Sequence, residues 1–177
     1  MKIIKDLIIR QYEIKIKLLL TRNIMIRFRH KSEIQIFTLF ATEFADNKVL
    51  RNENLSISIV VPGDYLENIF EKTEPFSCNC KCIWYNEKIV QEIGLNKEEC
   101  YACIAHEIGH LLDKRGMEDD QQVREKNADK FACKLGLSEN MISALEKMID
   151  YYQQERTNQN SEFIGKMCER IVELNKL

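Results

Sequence analysis

The stretch Cys103-Ile-Ala-His106-Glu107-Ile-Gly109-His110-Leu-Leu-Asp113 holds two of the three histidines in a chain of 177 residues. Spaced four apart on an α-helix, His106 and His110 share one face, about 6 Å from each other. They can aim two imidazole nitrogens at one point, which a zinc ion fills at roughly 2.0–2.1 Å from each nitrogen. Glu107 follows the first histidine, turned about 100° round the helix, where it reaches a metal-bound water rather than the metal. The pattern therefore supplies two ligands and a general base, the H-E-x-x-H arrangement. The plainer alternative is a pair of hydrogen-bonded core histidines. The glutamate between them, inside a helical apolar pattern, favours metal.

Two imidazoles do not hold zinc; a third protein ligand is needed, with water in the open position. Carboxylates downstream are Asp113, Glu118, Asp119, Asp120, Glu125 and Asp129. Asp113 lies on the same helix as His110 and cannot easily fold back onto the metal. Glu125 and Asp129 are four apart and share a face of the next helical segment. Ala128 and Ala132 keep that segment thin enough to pack against the first helix. The economical assignment is Glu125 as third ligand and Asp129 as the acceptor that fixes a histidine tautomer. A solvated acidic face is the competing reading.

The seven cysteines (78, 80, 82, 100, 103, 133 and 168) suggest a rival metal site. Cys100, Cys103, His106 and His110 fall on one helical stripe, but it spans roughly 15 Å, and a straight helix cannot wrap four ligands round one ion. Cys78, Cys80 and Cys82 would alternate along a strand at roughly 6.5–7 Å, too far apart for thiolates on one zinc. Small buried hydrophobes are the better reading. An odd number of cysteines without framework spacing suggests reduced thiols and a cytoplasmic protein.

The elements that must position this chemistry come from the rest of the pattern. Apolar residues make up 45% and charged residues 31%, as in a folded globular chain of one domain, residues 1–177. The net charge of −2 provides no overall basic field for nucleic acid, although Lys2 to Lys31 is locally basic. No run of roughly eighteen uncharged apolar residues suggests a membrane span, and no cleavable leader is apparent.

Asp6 to Ile9 suits a helix, and Ile14 to Leu18 and Ile24 to Phe28 alternate like strands. From Ser32, residues Ile36, Leu39, Phe40 and Phe44 recur at helical spacing. Leu55 to Val61 and Cys78 to Tyr85 read as strands, with a short helix from Asp64 to Lys72 between them. Asn96 is a good N-cap, with Glu99 placed to reach back, and Gly116 follows as a C-cap. Further helices run from about Asp120 to Leu135, closed by Gly136, then from Ser138 and from Ser161. The expected class is α+β: a short N-terminal β-sheet, the H-E-x-x-H helix and a helical C-terminal half. Leu145, Met148, Ile149 and Tyr152 give the Ser138 helix an apolar face that either completes the core or walls a cleft.

His106-Glu107-Ile-Gly109-His110 followed by Glu125-x-x-Ala128-Asp129-x-Phe131-Ala132 resembles the gluzincin metallopeptidases. It looks closest to the ImmA/IrrE-like family and to the soluble domain of HtpX-like peptidases. The likeness is strongest over residues 78–137 and includes Ile83-Trp84-Tyr85-Asn86 and the segment Glu87 to Ile93. It implies a small zincin-like domain, a zinc cofactor, peptide-bond hydrolysis with Glu107 as general base, and an upstream strand edge that binds extended substrate. A protein or peptide substrate follows, with transcriptional regulators among the candidate partners. Fourteen residues separate His110 from Glu125, so the connection between the two helices is short. A binding module that holds zinc and a protein partner without cleavage is the alternative. The donor that would stabilise a tetrahedral intermediate is not identified; His30, Tyr101, Tyr151 and Tyr152 are the candidates.

Overall fold

A computed structural model of the chain describes residues 25–28, 58–61, 76–79, 82–113, 121–154 and 160–177, with positions 36, 37, 39, 40, 43, 44, 47 and 49. The elements are β1 (Met25–Phe28), β2 (Ser58–Val61), β3 (Phe76–Asn79), β4 (Cys82–Tyr85), α1 (Glu87–Ile93), α2 (Lys97–Leu112), α3 (Gln121–Lys134), α4 (Ser138–Gln154) and α5 (Asn160–Leu174).

The expected α+β class with a short N-terminal β-sheet is overturned, because the described residues are almost entirely helical, with five helices that supply most of the core. Among the described residues, strand pairing is confined to two separate ladders of four-residue strands. β1 and β2 run parallel, with Met25 opposite Ser58; β3 and β4 run antiparallel, with Phe76 opposite Tyr85. β2 passes beside β4 with no ladder joining them among the described residues. Two-stranded pairs of this length are marginal by themselves and lean on the helices for stability. The single strand expected from Cys78 to Tyr85 is also corrected. The chain reverses between Asn79 and Cys82, and a period-two pattern reads the same on both sides of such a reversal. The expected helices at Asp6 to Ile9 and Asp64 to Lys72, the strand at Ile14 to Leu18 and the Gly116 cap lie outside the described residues.

α2 is the central element, with every residue from Glu99 to Gly109 buried. Its start carries a complete capping box. Asn96 Oδ1 accepts from the Glu99 amide at 2.9 Å, and Glu99 Oε2 accepts from the Asn96 amide at 2.7 Å. Glu99 is 1% exposed and also accepts from Ser143 Oγ and Lys147 Nζ of α4, which ties the two helices together at that end. Gly136, at φ 79°, adopts the left-handed conformation that ends α3 and turns the chain into α4.

The apolar face of α4 is core. Met141, Ala144, Leu145, Met148 and Tyr152 are buried in one cluster with Tyr101, Ile104 and Ile108 of α2. Burying each large side chain among them contributes roughly 1.5–3 kcal/mol. α5 closes the body with Met167 and Leu174, each 2% exposed. Among the described residues no helix is long and apolar enough to cross a membrane.

Candidate metal centre

The 3.6-residue period of α2 puts His106 and His110 on one face, their rings 4.5 Å apart and nearly perpendicular. Opposite them stands α3, and Gly109 lets it come close. A Cβ at Gly109 would lie 2.7 Å from the Ala128 Cα and 3.0 Å from the Phe131 Cβ, so only hydrogen fits there. Ala128 and Ala132 are fully buried at this seam. Small residues on both helices thereby bring the side chains flanking Ala128 to the histidines.

Glu125 reaches both imidazoles. Its Oε2 lies 3.2 Å from His106 Nε2 and its Oε1 3.3 Å from His110 Nε2. One donor atom from each of these three residues falls within 4.8 Å of the others, and they are the group of metal-ligand type found among the described residues. Asp129, one turn further along α3, takes the opposite side of His106, with Oδ1 2.7 Å from Nδ1. That bond places a proton on Nδ1 and aims Nε2 at Glu125 and His110. His110 Nδ1 is buried without a hydrogen-bond partner among the described residues. Glu107 is 8% exposed, next to His106 on α2.

Arg170 is the member of the site that sequence reasoning missed. From α5 its Nε and Nη2 grip the two oxygens of Asp129 at 2.9 and 2.7 Å, and Nη1 lies 3.2 Å from Glu125 Oε2. The signal was available in the helix pattern. Phe163, Met167, Arg170 and Leu174 fall on one stripe of α5, and an arginine inside an apolar stripe needs an acidic partner.

The electrostatics follow from this crowding. Burial and the Arg170 charge oppose protonation of His106, but hydrogen bonds to Asp129 and Glu125 outweigh them and raise its pKa to about 9. Burial would raise the Asp129 carboxyl; His106 and Arg170 overcome that and hold it down at about 2. Glu125 is likewise held well below the usual carboxylate range against its own desolvation, by the two imidazoles and Arg170. Glu125, Asp129 and Arg170 also line a groove of about 1070 Å³ between α3 and α5, which gives solvent a route to this side of the site.

The other sequence candidates lie elsewhere. Tyr101 packs edge-on against Phe40 and Phe44, Tyr151 donates to Glu92, and Tyr152 packs against Phe163. Asp113 caps the end of α2. His30, Glu118, Asp119 and Asp120 lie outside the described residues. Cys100 and Cys103 are buried free thiols, and burial pushes Cys100 up to about 12, which disfavours a thiolate ligand. Comparisons with family models, curated proteins and solved structures find no match to this chain.

Proposed function

We propose that the protein is a zinc-dependent peptidase of gluzincin chemistry, with His106, His110 and Glu125 as metal ligands and Glu107 as general base. The observation that carries this reading is the convergence of Glu125 on both imidazole Nε2 atoms from a separate helix. The donor set suits the metal: two neutral imidazoles and one carboxylate form the three-ligand, open-position site of catalytic zinc. Charge points the same way. With the imidazoles neutral, as ligands must be, the carboxylates of Glu125 and Asp129 face the single guanidinium of Arg170, a surplus of negative charge that favours a cation.

A zinc ion held there supplies a Lewis acid and lowers the pKa of the water beside it. The chain's own residues do the rest. Asp129 keeps the His106 proton on Nδ1, so that Nε2 is free to ligate. Glu107 accepts the proton of the attacking water and passes it to the leaving amine. Gly109 keeps α3 close enough for Glu125 to reach across. The substrate is a protein or peptide, transcriptional regulators being candidates by the family resemblance. The free buried thiols fit a cytoplasmic setting.

Glu107→Gln tests the reading, because the amide keeps the shape of the side chain and cannot accept the proton. Metal content should stay at the wild-type level while peptide hydrolysis falls by at least about 10²-fold. A wild type that binds zinc and cleaves no peptide library would instead favour the non-cleaving binding module.

A further inference from the structure

Arg170 has more partners in the site than any proton-transfer scheme requires. Its side chain is 17% exposed, and all three guanidinium nitrogens face carboxylates: two on Asp129 and one on Glu125. Nη2 also lies 3.1 Å from His106 Nδ1, so the guanidinium and the imidazole N–H converge on the same Asp129 oxygen. These contacts direct three of its five N–H groups at the carboxylates around the imidazoles. Its planar fork fixes the plane of Asp129 and holds Glu125 Oε2, leaving Oε1 toward His110. The neighbouring contacts between α3 and α5 lie further out. Gln122 donates to Glu169 and Lys126 pairs with Glu173, both exposed.

We propose that Arg170 is the positioning residue of the metal centre, orienting the third ligand Glu125 and the histidine-orienting Asp129 together and so making the C-terminal helix α5 part of the site. This rests on the metal reading above. Without the fork, the buried Asp129 and the half-buried Glu125 lose their shared partner and turn away from the geometry the imidazoles need. The cost falls on metal affinity and coordination geometry rather than on the fold alone.

The test uses cobalt(II) with the full-length chain, reading affinity by chelator competition and geometry by the visible absorption of the bound ion. Wild type, Arg170→Gln, Arg170→Lys and Lys126→Gln are compared. Arg170→Gln should bind one cobalt about 10–100-fold more weakly, the usual cost of removing such a supporting partner, with an altered spectrum. Arg170→Lys keeps the charge without the fork and should recover only part of the affinity. Lys126→Gln removes an α3–α5 ion pair outside the site and should match wild type. Equal weakening in Lys126→Gln would reduce Arg170 to a helix tether and overturn the proposal. So would wild-type affinity and spectrum in Arg170→Gln, or tighter binding, as expected if Arg170 merely competes with the cation. If Arg170→Gln loses its helical signal, Arg170→Lys decides alone: binding weaker than wild type with an altered spectrum supports the proposal, and wild-type binding and spectrum overturn it. A wild type that takes up no cobalt would sink the metal reading itself, a distinguishable failure.

Discussion

The two ring nitrogens of His106 have separate partners, and the distinction predicts what each acidic residue is worth. Glu125 faces Nε2 as a ligand would, whereas Asp129 faces Nδ1 and acts through the imidazole. Glu125→Ala should abolish stoichiometric zinc. Asp129→Asn should keep one site per chain but weaken it about 10–100-fold in chelator competition. Zinc that survives Glu125→Ala and is lost with Asp119→Ala or Asp120→Ala would contradict the ligand set. At this scale His106, His110, Glu125 and Asp129 could be grouped from spacing alone, since i, i+4 pairs on two helices declare which side chains share a face. Arg170 could not be grouped so simply. It lies 41 residues from Asp129, and a charged residue on an amphipathic helix is ordinarily solvated.

Among the elements, the seam between α2 and α3 sets the distance from histidines to Glu125. Gly109→Ala forces a methyl group against the Ala128 backbone, which cannot yield as a flexible side chain would. Overpacking of this kind costs about 1–3 kcal/mol, and it should push Glu125 out of reach. The expected result is a folded protein of lowered melting temperature that has lost most of its zinc; unchanged metal content would show that the seam is not what sets the site.

The α2–α4 junction makes a pH prediction. Burial raises the Glu99 pKa, but Lys147, Ser143 and the Asn96 amide bring it below its ordinary 4.5. A depressed acid contributes stability that is complete above the unfolded value and fades as pH falls through the folded one. Wild type should therefore lose stability below about pH 4.5 more steeply than Glu99→Gln, measured by denaturant midpoints at each pH. Parallel curves would contradict this. The helix starts and stops were readable here because Asn96 with Glu99, and Gly136, have local chemistry. The two ladders were not, because alternation shows neither a reversal between Asn79 and Cys82 nor which distant strand is the partner.

For the whole molecule, the site and the core are one construction. α2 carries the histidines and packs against α3, α4 and the strands, while α5 sends Arg170 into the centre between its own core residues Met167 and Leu174. A chain ending after Gly136 loses Leu145, Met148, Tyr152 and Met167 from one continuous cluster and should be insoluble. A soluble, zinc-loaded fragment would instead make α4 and α5 an appendage.

The central claim is that His106, His110 and Glu125 hold a metal ion, and its most direct test is the metal content of the purified protein. Wild type and His106→Ala are expressed identically, checked for helical signal, and analysed by elemental mass spectrometry. The geometry predicts one zinc per chain in wild type and essentially none in a folded His106→Ala. A metal-free wild type after purification in zinc-supplemented buffer, or equal zinc in both proteins, would contradict it.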